Sequence, residues 1–105
     1  MQATITTWRV ADAYQGNDDI VALLREIVRQ HQMAFRQLGL LDIMLIRSAP
    51  DTMTVVNVYE DTLDRDAMLA EQNRTLGPVL AGKVELIERE YGPAWDTSDI
   101  LGEHG

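Results

Sequence analysis

Two neighbouring stretches of this 105-residue chain are apolar on both of their alternating faces. In the stretch Ile43 to Ser48, the set Ile43, Leu45, Arg47 alternates with the set Met44, Ile46, Ser48. In Met53 to Tyr59, the set Thr54, Val56, Val58 alternates with Met53, Val55, Asn57 and Tyr59. Successive side chains of a strand point to opposite sides of its sheet. A sheet built from these two stretches therefore needs cover on both sides. Helices of the same chain can supply one cover. The other side would leave a contiguous apolar patch in water, which monomers seldom carry. The pattern asks for helices on one face and a second subunit on the other.

The rest of the chain supplies those helices. Residues 3–10, Ala-Thr-Ile-Thr-Thr-Trp-Arg-Val, are β-branched and aromatic and read as a first strand. A loop follows from Asp12 to Asp19, with Asn17 or Asp18 as helix N-cap. From Ile20 the period becomes helical: Ile20, Leu23, Leu24, Ile27, Val28, His31, Phe35 and Leu38 form one apolar stripe, and Gly39 stops the helix. The two apolar stretches read as a hairpin turning at Ala49-Pro50-Asp51. Asp61-Thr62 is expected to cap a second helix running to about Leu76, where Gly77-Pro78 interrupts it before a possible restart over Val79 to Ala81. Lys83 to Tyr91 reads as a fourth strand, and a polar tail follows from Gly92.

The order is β-α-β-β-α-β, the ferredoxin-like arrangement of a four-stranded antiparallel sheet with both helices on one face. We expect an α+β fold and a single domain over residues 1–105, with its core at about 3–91. The apolar second face predicts a homodimer through the sheet, two sheets closing a C2-symmetric α+β barrel. A chain this short has little room for a deep pocket of its own. The expected ligand cavity therefore lies between the two sheets.

Composition narrows the chemistry. There is no cysteine, so disulfides, thiolate metal sites and Cys nucleophiles are excluded. The net charge is −8, and all of it falls in residues 51–105, where 12 acids face four bases. Such a surface repels phosphate backbones, so no nucleic acid partner is expected. No signal peptide or membrane span is visible, and a cytoplasmic location with no membrane partner is the default. There is no Walker loop, GxGxxG or nucleophile elbow. The acids Glu60, Asp61, Asp64 and Asp66 suit the positive end of a helix better than a metal.

The segment Gly39-Leu-Leu-Asp-Ile-Met-Leu-Ile-Arg-Ser48, the strand end Val55-Val-Asn-Val-Tyr-Glu60, and its direct run into Asp61-Thr-Leu-Asp-Arg-Asp-Ala67 resemble the dimeric α+β barrel superfamily. Within it the chain is most similar to small antibiotic-biosynthesis-monooxygenase-like proteins, over roughly residues 3–91. The resemblance implies a monooxygenase-like homodimer that oxidises an aromatic or quinone-type small molecule in a dry cavity under the sheet, without a metal, flavin or other cofactor. Many such proteins carry a histidine in the second helix; the matching position here is Glu71. That difference keeps an alternative open: a non-enzymatic, ligand-binding or stress-related dimeric module.

The residues that could do the chemistry are few. His31, one of two histidines, is the plausible base, and Asn57, the polar residue of an apolar strand, would orient a substrate oxygen. Those two are the expected catalytic residues. Trp8, Met44, Tyr59 and Tyr91 are the expected substrate-binding residues, supplying an apolar wall with polar handles.

Overall fold

The computed structural model describes residues 1–16, 18–62 and 64–102, and within the first helix the side chains at 31–34 are not among those described. The strands are β1 (Gln2–Val10), β2 (Leu40–Ala49), β3 (Thr52–Tyr59) and β4 (Val84–Pro93). The helices are α1 (Asp19–Gln37), α2 (Arg65–Leu80) and a short C-terminal α3 (Thr97–Leu101). The strands pair antiparallel in the order β2-β3-β1-β4. This is the expected ferredoxin-like order, with β1 and β3 side by side at the centre. No helix among the described residues is long and apolar enough to cross a membrane.

The stripe on α1 folds as its spacing requires. Ile20, Leu24, Ile27 and Phe35 are buried, whereas Leu23 and Leu38, at the margins of the stripe, remain exposed. Gly39 has a φ of 115°, a conformation that side chains resist, and it turns the chain from α1 straight into β2. The core has two clusters. One joins Val10 and Met53 of the sheet to Ile20 and Leu24 of α1. The other joins Phe35, Leu40, Tyr59 and Met68, and so ties α1, β2, β3 and α2 together. Each such side chain stabilises the fold by about 1.5–3 kcal/mol through burial.

Three local details differ from expectation. Asp18 does occupy the N-cap position of α1, but its side chain caps nothing; it pairs instead with Arg47 at 2.8 Å. Asn17, the other candidate, lies outside the described residues. The cap of α2 is Asp64, which accepts from the Ala67 N–H at 3.1 Å. Asp61 is drawn away to the N-terminal ammonium at 2.7 Å. Finally, α2 runs unbroken through Gly77-Pro78 to Leu80. Pro78 sits in the last turn, so it removes one helical bond, and the Ala81 N–H still reaches the Gly77 carbonyl at 2.9 Å.

The register sorts the two apolar faces. Ile43, Asn57, Thr4 and Tyr91 lie in one row across the sheet, and Leu45, Val55, Thr6 and Arg89 in the next. These rows face the helices. On the other face Met44, Val56 and Ile5 form a row, with Ile46 beside them. Ile5, Met44 and Ile46 are 40, 55 and 41% exposed in the single chain.

Candidate functional site

The helix-facing rows do not pack fully against the helices. Between them lies a cavity of about 460 Å³, inside the roughly 300–1,000 Å³ range of small-molecule sites. The expectation that a chain this short has little room for a pocket of its own is corrected here, because one chain holds this cavity between its sheet and its helices. The reason lies in α2. Met68 is its one buried residue, and Leu69, Gln72, Asn73 and Leu76 line the cavity rather than fill it.

Apolar side chains from both layers form the walls, among them Ile27 and Phe35 of α1, Val55 and Met53 of β3, and Leu76 of α2. Trp8 joins them with its indole N–H satisfied, donating to Thr6 Oγ1 at 2.8 Å. The floor is polar. Asn57 is 6% exposed, and its Oδ1 has no hydrogen-bond partner among the described residues. A buried acceptor left unpaired is uncommon and asks for an explanation. Its amide group hydrogen-bonds Tyr59, whose hydroxyl also meets Gln72 and Thr4. With Oδ1 unpartnered, the amide N–H must be the donor.

Tyr59 is 2% exposed. Burial pushes its hydroxyl above the usual tyrosine range, against the pull of the bonds from Gln72, Thr4 and Asn57 and of the nearby Arg89 charge. The phenol therefore stays neutral at ordinary pH. The mouth lies at the β4 edge, where Tyr91 is 59% exposed and the Arg65 guanidinium sits 3.6 Å from the centre of its ring. Asp66, in the first turn of α2, also lines the cavity.

The structure thus brings Trp8, Asn57, Tyr59 and Tyr91 to one cavity. It does not bring Met44 there: that side chain belongs to the opposite face of the sheet, one step out of phase with Ile43 and Leu45. The His31 side chain lies outside the described residues. Sequence reasoning missed Thr4, Thr6, Arg65, Gln72 and Arg89. Two signals were present. Arg89 and Tyr91 alternate on one face of a strand, and Met68, Gln72 and Leu76 recur at helical spacing. Among the described residues no group of three or more His, Cys, Asp or Glu is placed to hold a metal ion.

No protein-family model matches this chain, and no curated protein matches it. Solved structures do. SnoaB from Streptomyces nogalater, a cofactor-independent oxygenase solved as a point variant, is 16% identical, with 91% of this chain and 95% of that one covered at a TM-score of 0.63. A dimeric ferredoxin-like protein from an uncultured marine organism is 17% identical over 90% of this chain and 98% of its own, at a TM-score of 0.62. An antibiotic biosynthesis monooxygenase is 15% identical over 91% and 100% of the two chains, at a TM-score of 0.58. The chain has the fold of these antibiotic-biosynthesis-monooxygenase-like, dimeric α+β barrel proteins.

Proposed function

We propose that the protein is a small oxygenase of the monooxygenase type, acting on a phenol- or quinol-type aromatic molecule in the cavity between sheet and helices. The observation that carries the reading is Asn57 Oδ1, a buried acceptor without a partner among the described residues, in the lining of a largely apolar cavity. A substrate hydroxyl would donate to it and remove the cost of leaving it unpaired. When that proton passes to the base, the neutral Tyr59 hydroxyl, whose oxygen accepts from Gln72, Thr4 and Asn57, would donate its own proton to the substrate oxyanion. In such a dry site an ionised phenol is electron-rich enough to reduce dioxygen. One oxygen atom ends on the ring carbon as the quinone oxygen and the other leaves as water. SnoaB, a cofactor-independent oxygenase, supplies a precedent on this fold.

The base that ionises the substrate is assigned to His31. Its position falls by spacing midway between Ile27 and Phe35, both of which line the cavity. Pairing of two copies through Ile5, Met44, Ile46 and Val56 would cover the apolar outer face, and a dimeric ferredoxin-like protein shares the fold.

The test is oxygen uptake with a panel of naphthols, anthrones and hydroquinones, on wild type and on Asn57→Ala and His31→Ala. The expected result is uptake with at least one class and a loss of about 100-fold in turnover for His31→Ala, the usual scale of a lost general base. Uptake unchanged in both variants sinks the assignment. A second reading, binding without turnover, is favoured by one observation: among the described residues lining the cavity the only carboxylate is Asp66. Saturable binding of these aromatics with no oxygen uptake would select it.

A further inference from the structure

We propose that the molecule bound in this cavity is an aromatic acid, whose carboxylate is held at the mouth by Arg65 and Arg89; the inference rests on the cavity being a ligand site. The acidic half of the chain, residues 51–105, has four bases against 12 acids. Arg74 pairs with Glu71, and Lys83 donates to the Val79 carbonyl at 2.8 Å. The other two, Arg65 and Arg89, line the cavity, and neither forms an ion pair among the described residues. In a region with three carboxylates to each base, two arginines that line one cavity without an ion pair among the described residues ask for an explanation.

Neither arginine is explained by the fold. Arg65 is the first residue of α2, where a cation opposes the helix dipole rather than complementing it. Its ring contact with Tyr91 occupies the face of the guanidinium and leaves its N–H edges for another partner. Arg89 stands in the row of Thr6 and Val55, one row from Asn57 and Tyr91, and its charge is felt at the Tyr59 hydroxyl. The same α2 N-terminus that disfavours Arg65 favours an anion beside it. A molecule with its hydroxyl on Asn57 and its ring against the apolar walls would project a ring substituent toward this pair. A carboxylate there accepts charge-assisted, fork-like hydrogen bonds from guanidinium groups.

The experiment is calorimetric titration of the protein with 2-naphthol and with 6-hydroxy-2-naphthoate, which differ by a carboxylate on the far ring, out of reach of the hydroxyl. The acid is expected to bind about tenfold more tightly at low salt, the equivalent of one net charge-assisted contact. That advantage should shrink as salt rises. Arg65→Gln and Arg89→Gln should each reduce the ratio of the two affinities several-fold, whatever either does to the binding of 2-naphthol itself, and Arg89→Lys should retain part of it. Thermal melts check that each variant is folded. Equal binding of the two compounds overturns the inference and leaves the ligand site standing, as does an advantage that survives both substitutions. Failure of both compounds to bind overturns the ligand site and the inference together.

Discussion

Replacing Asn57 by Leu separates a functional role from a structural one. Asn57 is 6% exposed and leaves Oδ1 without a partner among the described residues; a buried acceptor left wholly unpaired costs about 1–3 kcal/mol, the upper bound on what its removal can return. Leucine has a similar branched shape and no polar atoms, and the adjoining cavity can take its extra volume. The variant loses one amide bond to Tyr59, worth about 0.5–1.5 kcal/mol. It gains burial of apolar carbon at about 0.8 kcal/mol per methylene. The balance is neutral to stabilising, by roughly zero to 2 kcal/mol on the same scales. Urea unfolding at fixed protein concentration reads this as a higher midpoint with an unchanged slope. In a thermal melt each kcal/mol moves Tm by roughly 4–8 °C for a domain near this size. Oxygen uptake and naphthol binding should fall in the same protein. A loss of about 2 kcal/mol or more would refute the reasoning, since it is the penalty for removing a partner from a satisfied buried network. Full uptake in the variant would refute it from the other side.

Tyr59 predicts an alkaline limit to stability. Its hydroxyl is held above the ordinary value of about 10, so above that pH the unfolded chain releases a proton that the native chain keeps, and stability falls as pH rises; melts from pH 9 to 11 should show a steeper decline in wild type than in Tyr59→Phe. The outer sheet face predicts the oligomer. Light scattering should give twice the 11.8 kDa chain mass for wild type and the single-chain mass for Val56→Glu, and a wild-type monomer would remove the argument from the two apolar faces.

Element order and the share of α1 in the core were legible because the residues repeat at the period of the structure they adopt. Ile20, Leu24, Ile27 and Phe35 are at helical spacing, and all are buried. The caps were less legible, because an acid near a helix start has competing partners. Asp18 and Asp61 are both good capping residues by type, but a cation from elsewhere in the fold, Arg47 or the N-terminal ammonium, holds each of them. Local sequence cannot announce a partner that arrives from another strand. The site was half legible for a related reason. Trp8, Asn57, Tyr59 and Tyr91 stand out as unusual residues on strands, and the sheet gathers them. Gln72 and Arg89 are unremarkable by type and acquire a role only through register and helix phase.

Met44 and Asn57 show why the cavity could not be assigned to a face in advance. Both belong to strands that are apolar on either side, so alternation divides each strand into two sets without saying which set meets the helices. The polar content settles it only in hindsight. The helix-facing set of β3 carries Asn57, and the sets beside it carry Thr4, Thr6 and Arg89. The outward row of Met44, Val56 and Ile5 is apolar across β2, β3 and β1, and its charge is confined to the β4 edge at Glu90. An interface that must exclude water across a flat sheet gains from uniform apolar surface, whereas a cavity that must orient one small molecule needs a few polar groups among apolar walls. On that ground the two apolar faces, alike in hydrophobicity, have different uses. The outward face suits a second copy of the chain, and the inward face, with Asn57 and Gln72 among its apolar walls, suits a ligand.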